Sequence, residues 1–314
     1  MSTPQIPAVS VIIPAYRVTA YISETIDSVL AQNFADYEVI VVNDGCPDSD
    51  ALEHVLRPYL GRIVYLRKEN GGPSSARNAG MRMARAPLVT LLDGDDLLLP
   101  DYLRVQTTFL EAHAETDVVY CNGLVFGDSD YAGRKVMDFS PSRGPVTFES
   151  LVSCRCSVMT TVLARKQALL GVGGFDEGLR RAEDFDLWVR LVHAGGRIAY
   201  HETPLFRYRR RPSSLSTDEV AMRQSALEVL EKLGRTLTLS AAEQTALARA
   251  AESFRTDVVY FRMTQALHRH DAPTARSALR ELQKVRWKLK YALLGVALLC
   301  APGLTLRLAD RRVR

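Results

Sequence analysis

The stretch Leu88-Val-Thr-Leu-Leu-Asp-Gly-Asp-Asp96 joins a short apolar run to three carboxylates. The run 88–92 is typical of a strand buried inside a sheet, and Asp93, Asp95 and Asp96 follow where that strand ends. Like charges this close together repel unless a cation or strong hydrogen-bond donors compensate them. One interpretation is a divalent Mg²⁺ or Mn²⁺ ion, held by oxygen ligands and shared with substrate phosphates. The other is a solvated acidic turn before a helix that starts near Pro100.

The first 120 residues alternate between strand and helix patterns. Strands are predicted at 9–13, 37–42, 63–66, 88–92 and 117–121, and helices at 20–30, 71–85 and 100–111. This alternation predicts an α/β fold with a doubly wound, mostly parallel sheet. From 122 to 210 the pattern is mixed, with a helix over 182–194 and strands near 198–200 and 205–209.

Three segments follow predicted strands at the same edge of this sheet. They are Pro14–Tyr16, Asn43-Asp44 and Asp93–Asp96. In doubly wound sheets, ligands bind beyond the carboxyl ends of the strands. The three segments are therefore predicted to form one binding site.

Charge and hydropathy divide the chain into three parts. Residues 1–204 carry 19 Lys+Arg against 26 Asp+Glu, whereas 205–314 carry 21 against 10, so the net charge changes from −7 to +11. We expect a catalytic domain over 1–212, a helical region over 213–286 and a basic, apolar C-terminal segment over 287–314. Anionic membrane lipids are the partner that such a basic end suggests.

The C-terminal segment has the composition of a membrane-interface anchor. Residues 291–306 are apolar apart from Thr305, are interrupted by Pro302-Gly303 and have basic residues on both sides. Sixteen residues fall short of the roughly 20 that a spanning helix needs. An interfacial segment with Trp287 and Tyr291 at the headgroups fits this pattern, and a helix packed on the protein is the alternative.

Two further features indicate the cytoplasm, with possible contact at the inner face of the membrane. The N-terminus has no secretory signal pattern, because the chain reaches a predicted strand by Val9. The five cysteines are odd in number and irregularly spaced, which favours free thiols in a reducing compartment. No zinc-ligand or RNP-like pattern occurs, so nucleic acid is not an expected partner.

Five motifs, in order, resemble glycosyltransferase family 2. They are Val9-Ser-Val-Ile-Ile-Pro-Ala-Tyr16, Val41-Val-Asn-Asp-Gly45, Glu69-Asn-Gly-Gly-Pro-Ser-Ser-Ala-Arg-Asn78, Leu91-Leu-Asp-Gly-Asp-Asp96 and Arg181-Ala-Glu-Asp-Phe-Asp-Leu-Trp188. The resemblance covers about residues 8–210. It implies the GT-A fold and an inverting glycosyltransferase of the hexosyltransferase type that uses nucleotide-sugar donors.

The resemblance also implies a role for each donor-side residue. Pro14, Ala15 and Tyr16 would border the nucleobase, and Asp44 would accept a hydrogen bond from it, which favours uracil and hence UDP. Arg77 would lie near the diphosphate together with Asn78. Asp93 and Asp95 would hold the ribose and a divalent metal, Mn²⁺ or Mg²⁺, and Asp96 would support them.

Glu183-Asp184 matches the acidic pair of the family, in which the aspartate is the general base. A base is needed because a sugar hydroxyl is a poor nucleophile until its proton is removed. The alternative is an acidic first helical turn that faces the positive end of the helix dipole. Trp188, further along the same helix, is interpreted as a core residue.

The chain departs from the family pattern at three positions. Arg17 stands where Asn is frequent, Asn43-Asp44-Gly45 replaces Asp-Asp-Gly, and Arg211 stands where many members carry a metal-binding His. Arg211 or its neighbours could instead clamp the diphosphate. A Gln-x-x-Arg-Trp motif is absent, which argues for transfer of one sugar per encounter rather than processive synthesis.

The sequence thus predicts transfer of a sugar to a hydroxyl of a cell-surface glycan or lipid-linked acceptor. Two alternatives stay open at this point. A non-catalytic nucleotide-sugar-binding protein is conceivable because of Arg211. A nucleotidyltransferase would also use an acidic metal site, but it would not explain Glu183-Asp184.

Overall fold

The computed structural model describes residues 6–211, 214, 217–285 and 289–300. The chain forms two compact units, Met1–Ser214 and Leu215–Arg314, and each is described by itself.

The first unit contains eight strands and seven α-helices among its described residues. The strands are β1 (Val9–Ala15), β2 (Tyr37–Asp44), β3 (Val64–Lys68), β4 (Leu88–Leu91), β5 (Leu97–Leu98), β6 (Val118–Gly127), β7 (Val162–Arg165) and β8 (Ile198–Arg210). The helices are α1 (Ile22–Leu30), α2 (Ser49–Leu56), α3 (Gly72–Met83), α4 (Tyr102–Ala112), α5 (Phe148–Val152), α6 (Lys166–Gly171) and α7 (Glu183–His193).

All eight strands join one sheet in the order β3-β2-β1-β4-β7-β6-β8-β5. The four strands from β3 to β4 are parallel, and β6 is parallel to β8. β7 runs antiparallel to β4 and β6, and β5 antiparallel to β8. The predicted α/β fold with a mostly parallel sheet is confirmed.

The sheet differs from the sequence prediction at three places. β1 continues through Pro14, which pairs with Val42, although the chain was expected to leave the sheet there. Proline lacks only the N–H donor, so the extended backbone can continue at the cost of one ladder hydrogen bond. β7 and β5 were not predicted, because four- and two-residue segments are too short to show a period.

The third difference concerns β8. The two strands predicted near 198–200 and 205–209 form one strand that pairs with β6 along its length. The register shifts beside Asn122, where Cys121 pairs with His201 and Asn122 with Pro204. This irregularity absorbs the extra residues and interrupts the apolar pattern that the sequence shows.

Helix α3 packs unusually close to β1. A Cβ at Gly80 would lie 2.3 Å from Cγ2 of Ile12, so only glycine permits this approach. Pro73 lies in the first turn of α3, as expected, where its missing N–H costs nothing. The close contact fixes α3, and with it Arg77, against the centre of the sheet.

The second unit is helical, as predicted for 213–286. It contains α8 (Glu219–Thr236), α9 (Ala241–His268), α10 (Ala272–Val285) and α11 (Leu289–Cys300). Ser240 and Glu243 form a reciprocal capping box at the start of α9. α9, α10 and α11 share a core that includes Met263, Leu279 and Leu298.

Much of the predicted C-terminal segment 287–314 lies outside the described residues, and α11 is the part of it that is described. None of the helices in the described ranges is long and apolar enough to cross a membrane.

Candidate active site

The aspartates after β4 lie in a tight turn beneath the end of β1. The N–H of Asp96 donates to the carbonyl oxygen of Asp93 at 3.0 Å, which closes the turn. A Cβ at Gly94 would lie 2.8 Å from the carbonyl oxygen of Pro14, so this position needs glycine. The turn is thereby held against β1, with its carboxylates at the carboxyl edge of the sheet.

Each of the three carboxylates is engaged by an arginine of the same chain. Asp93 pairs with Arg77 at 2.7 Å, and Asp95 pairs with Arg211 at 2.9 Å. Asp96 is almost fully buried and accepts a hydrogen bond from the backbone N–H of Arg209 at 2.8 Å. The sequence left open whether a cation or donors compensate this cluster, and arginines provide part of the compensation.

The compensation by arginines is incomplete. Burial raises the pKa of Asp95, and the neighbouring charge of Asp93 raises it further, although Arg211 opposes both. Burial and both neighbouring carboxylates raise the pKa of Asp96 well above its usual range. The cluster therefore keeps negative charge that the arginines do not compensate and that a further cation would stabilise.

Arg77 connects this cluster to the acidic pair at the start of α7. Its guanidinium donates through Nη2 to Asp93 and through Nη1 to Oε1 of Glu183 at 2.6 Å. Arg77 is 4% exposed, and its guanidinium also lies 5.4 Å from the ring centre of Phe175. The two carboxylates raise the pKa of Arg77 against the opposing effect of burial, so the cation persists.

Asn78, the next residue of α3, holds the loop before α7. Its amide donates to the carbonyl oxygen of Phe175 and accepts from the N–H of the same residue, at 2.8 and 2.9 Å. The Arg77-Asn78 pair, predicted near the diphosphate, therefore connects the two acidic segments of the edge.

Glu183 and Asp184 begin α7 after a strained residue. Ala182 has φ 56°, in the left-handed region that an L-residue with a Cβ seldom adopts. Glu183 is buried against Arg77. Asp184 accepts a hydrogen bond from the N–H of Phe185 at 2.8 Å and has a longer contact with the hydroxyl of Thr160, at 3.4 Å.

The surroundings of Asp184 suit a proton acceptor. Burial raises the pKa of Asp184 to about 6, the charge of Glu183 adds to the rise, and the N–H of Phe185 and Arg77 oppose it. A carboxyl group with this pKa is ionised near neutral pH and is a stronger base than an ordinary aspartate. Trp188, on the same helix, is fully buried, as interpreted from the sequence.

Asp44 ends β2 and anchors the start of α3. Its carboxylate accepts from Nζ of Lys68 at 2.7 Å and from the N–H groups of Gly71 and Gly72 at 3.0 and 2.8 Å. A carboxylate has about four acceptor positions, so three donors leave room for one more. Lys68 was not among the predicted site residues, because a lysine at the end of a short strand carries no distinctive signal.

The end of β1 carries a second strained position. Pro14 and Ala15 lie within the strand, and Tyr16 beyond it is 39% exposed. Arg17 has φ 55°, and its N–H donates to Sγ of Cys46. Asparagine tolerates this left-handed conformation better than arginine does, which gives a physical reason for the asparagine that the family pattern favours there.

The described residues do not form a complete protein metal site. Within these ranges, no group of three or more His, Cys, Asp or Glu side chains is arranged to hold a metal ion. Asp93 and Asp95 offer two carboxylates at most, which suits Mg²⁺ or Mn²⁺ only when phosphate oxygens or water supply the other ligands. Arg211 stands at the position where a third protein ligand was in doubt, and its guanidinium pairs with Asp95.

The sequence also missed the role of β8. Arg209 lies within the strand, and its Nε donates to the carbonyl oxygen of Asp95 at 2.7 Å while its guanidinium pairs with Glu24. The available signal was the alternation of Arg207, Arg209 and Arg211, which a strand places on one face.

Comparisons of sequence place the chain in a known family. The sequence model described as Glycosyl transferase family 2 matches residues 10–166. An uncharacterized glycosyltransferase of Rickettsia prowazekii is 30% identical over 265 residues, covering 81% of this chain and 80% of that protein. The uncharacterized glycosyltransferase EpsJ of Bacillus subtilis is 31% identical over 242 residues, covering 72% of this chain and 67% of that protein.

Solved structures share the fold. TarS of S. aureus in complex with UDP-GlcNAc has a TM-score of 0.62 at 19% identity, covering 98% of this chain and 91% of that one. The mannosyltransferase PcManGT from Pyrobaculum calidifontis, in complex with GDP-Man and Mn²⁺, has a TM-score of 0.63 at 18% identity, covering 98% and 87%. The fold is an α/β fold of the GT-A type. The chain belongs to glycosyl transferase family 2 and is a glycosyltransferase.

The environment of Asp184 predicts a pH-dependent effect of its neutralisation on stability. Its raised pKa means that the ionised form destabilises the fold, so this cost is absent below about pH 4 and grows as pH rises through about 6. We expect Asp184→Asn to increase the free energy of unfolding by about 1–3 kcal/mol at pH 8 and to have little effect at pH 4.

Urea denaturation across this pH range measures the difference in the free energy of unfolding between Asp184→Asn and the wild type. Asp50→Asn, the same substitution at an exposed aspartate, is the matched control. A stability difference that stays constant from pH 4 to 8 would contradict the raised pKa.

Proposed function

We propose that the protein is a non-processive, inverting glycosyltransferase that moves a sugar from a UDP donor to an acceptor hydroxyl. The observation that carries the proposal is the ion pairing of Arg77 with both Asp93 and Glu183. It joins the carboxylate cluster of a donor site to the acidic pair that would serve an acceptor. Residues 1–212 form the catalytic domain in this proposal.

The donor side is assigned by residue type and position. Pro14, Ala15 and Tyr16 border the nucleobase, and the remaining acceptor position of Asp44 takes an N–H of the base, which suits uracil. TarS binds UDP-GlcNAc and PcManGT binds GDP-Man, so both nucleotides occur within this fold. Arg77 keeps Asp93 in place beside the ribose and diphosphate.

A divalent cation belongs to the proposal as a partner of the donor. Asp95 and Asp93 would hold Mn²⁺ or Mg²⁺ together with phosphate oxygens, and PcManGT was solved with Mn²⁺. The bound ion would offset the negative charge that develops on the departing diphosphate.

Asp184 is the general base of the proposed reaction. It accepts the proton of the acceptor hydroxyl while that oxygen attacks the anomeric carbon, and the bond to the diphosphate breaks on the opposite face. This single displacement inverts the configuration and needs no covalent enzyme intermediate. Glu183 holds the base segment in place through Arg77.

The C-terminal region supports the proposed acceptor and location. The acceptor is a cell-surface glycan or lipid-linked sugar, and the enzyme works in the cytoplasm at the inner face of the membrane. Leu293 and Val296 of α11 are 63% and 58% exposed, which is unusual for two large apolar residues one turn apart. Arg276 and Arg280 of α10 line a cleft against this helix, and basic groups beside exposed apolar ones favour an anionic membrane surface.

The catalytic assignment predicts a separation of binding from turnover. Asp184→Asn should bind UDP as the wild type does but lose at least about 100-fold in the rate of donor turnover, because no group removes the hydroxyl proton. In the wild type, kcat/KM should fall below about pH 6 as Asp184 becomes protonated.

The assay measures release of UDP from a panel of UDP-sugars, in the presence of Mn²⁺ and of a cell extract that supplies the acceptor. It tests the predicted loss of turnover. If Asp184→Asn retains turnover, the assignment of Asp184 as the general base is wrong. Release of pyrophosphate would indicate a nucleotidyltransferase, and binding without any release would indicate a non-catalytic protein.

The membrane assignment predicts binding to vesicles. The wild type should sediment with vesicles of anionic phospholipid and much less with neutral phosphatidylcholine. Leu293→Asp combined with Val296→Asp should reduce binding at least about tenfold, because both apolar contacts are lost.

Leu170→Asp, at an exposed leucine of the first unit, is the matched control. Equal sedimentation of the double variant and the wild type would exclude α11 as the contact.

A further inference from the structure

Arg211 follows directly after β8 and is held at the carboxylate cluster by a stack of side chains. The guanidinium groups of Arg207 and Arg209 each lie 4.2 Å from the ring centre of Phe126 in β6. Those of Arg209 and Arg211 lie 4.7 and 5.1 Å from the ring centre of Tyr21. We name Arg207, Phe126, Arg209, Tyr21 and Arg211 the arginine stack. Stacking of this kind reduces the freedom of the guanidinium before any ligand binds.

The members of the stack differ in how fully their guanidinium groups are used. Arg209 pairs with Glu24 and donates to the carbonyl oxygen of Asp95. Among the described residues, Arg211 makes one short ion pair, from Nη2 to Oδ2 of Asp95, and a marginal contact of 3.5 Å with the carbonyl oxygen of Arg17. Its Nε is buried without a hydrogen-bond partner among the described residues.

A guanidinium has five N–H donors in a planar fork that matches phosphate oxygens. With respect to the part of the chain that the structure describes, Arg211 therefore has unused donors beside Asp95, in a side chain that is only 23% exposed. A buried donor without a partner costs free energy, which a ligand oxygen would recover. Arg77, another cation of the cluster, is already shared between two carboxylates.

We propose that Arg211 is a diphosphate-binding residue of the donor site and that, before the donor binds, it is the counter-ion of Asp95. The inference rests on the proposed function, because it takes the ligand to be a nucleoside diphosphate. On binding, the guanidinium donates to oxygens of the diphosphate, and Asp95 becomes available to a divalent cation. Arg211 thus contacts the diphosphate directly. Its guanidinium supplies part of the positive charge that a metal ion held by a third protein ligand would otherwise supply.

The proposal predicts opposite effects of one substitution on two ligands. In Arg211→Gln, affinity for UDP in EDTA should fall by about 10- to 100-fold, because charge-assisted hydrogen bonds to phosphate are lost. Affinity for uridine should be unchanged, since uridine has no phosphate. Affinity for Mn²⁺ without nucleotide should rise several-fold, because Asp95 no longer has a competing cation.

Titration calorimetry with uridine, UMP, UDP and GDP, and Mn²⁺ binding followed by electron paramagnetic resonance, measure these effects. Arg104→Gln is the matched control, because it removes an arginine that pairs with an aspartate, at 3.0 Å, on the exposed face of α4. Arg211→Lys retains the charge without the planar fork, so an intermediate loss of UDP affinity is expected even if the glutamine variant does not fold.

Three outcomes overturn the inference, and they are distinguishable. If the wild type binds UDP or GDP and both Arg211 variants bind it equally well, Arg211 does not contact the diphosphate and the proposed function survives. If the wild type binds neither nucleotide with or without Mn²⁺, the proposed function fails and the role of Arg211 fails with it. A loss of affinity that is equal for uridine and UDP also contradicts phosphate recognition.

Discussion

The buried guanidinium of Arg77, shared between Asp93 and Glu183, is the interaction on which the arrangement of the site depends. A lone buried carboxylate is costly, and so is a lone buried guanidinium, but each compensates the other when geometry and hydrogen bonds are good. Here one cation serves two acidic segments that are separated by 90 positions in the chain, 93 and 183. The close packing of α3 on β1 through Gly80 sets where that cation lies. The first acidic segment and the proposed base segment therefore cannot shift independently.

A second constraint is the crowding of carboxylates at one edge of the sheet. Burial and mutual repulsion raise the pKa values of Asp95, Asp96 and Asp184 together. Arginines reduce the repulsion without removing it. A divalent cation bound together with the donor would compensate the remaining negative charge. The strained backbone at Arg17 and Ala182 lies next to these groups. Strain of this kind persists only where surrounding contacts enforce it, which is common at functional sites.

Much of the fold was predictable because its signals are local. The apolar run before Asp93 and the alternation of strands and helices identified the sheet edge and the segments that meet there. Asp93, Asp95 and Glu183 were predicted from their motifs, and Arg77 pairs with the first and the last of them. The ion pairs that join them were not predicted, because they link residues far apart in sequence. Lys68 was missed because a lysine at the end of a short strand carries no distinctive signal, whereas the alternation of Arg207, Arg209 and Arg211 was visible but was not used. Short strands such as Val162–Arg165 have no period to detect and are set by tertiary pairing.

The most direct test of the central claim is the free energy of unfolding of Arg77→Met, compared with variants that also neutralise its partners. The account predicts a loss of about 3–5 kcal/mol for Arg77→Met, because buried carboxylates are left unpaired. Glu183→Gln in that background should restore more of this loss than Asp93→Asn, since the side chain of Glu183 is 11% exposed and that of Asp93 is 35% exposed. A loss below about 1 kcal/mol, or no recovery when both carboxylates are neutralised, would contradict the role given to Arg77.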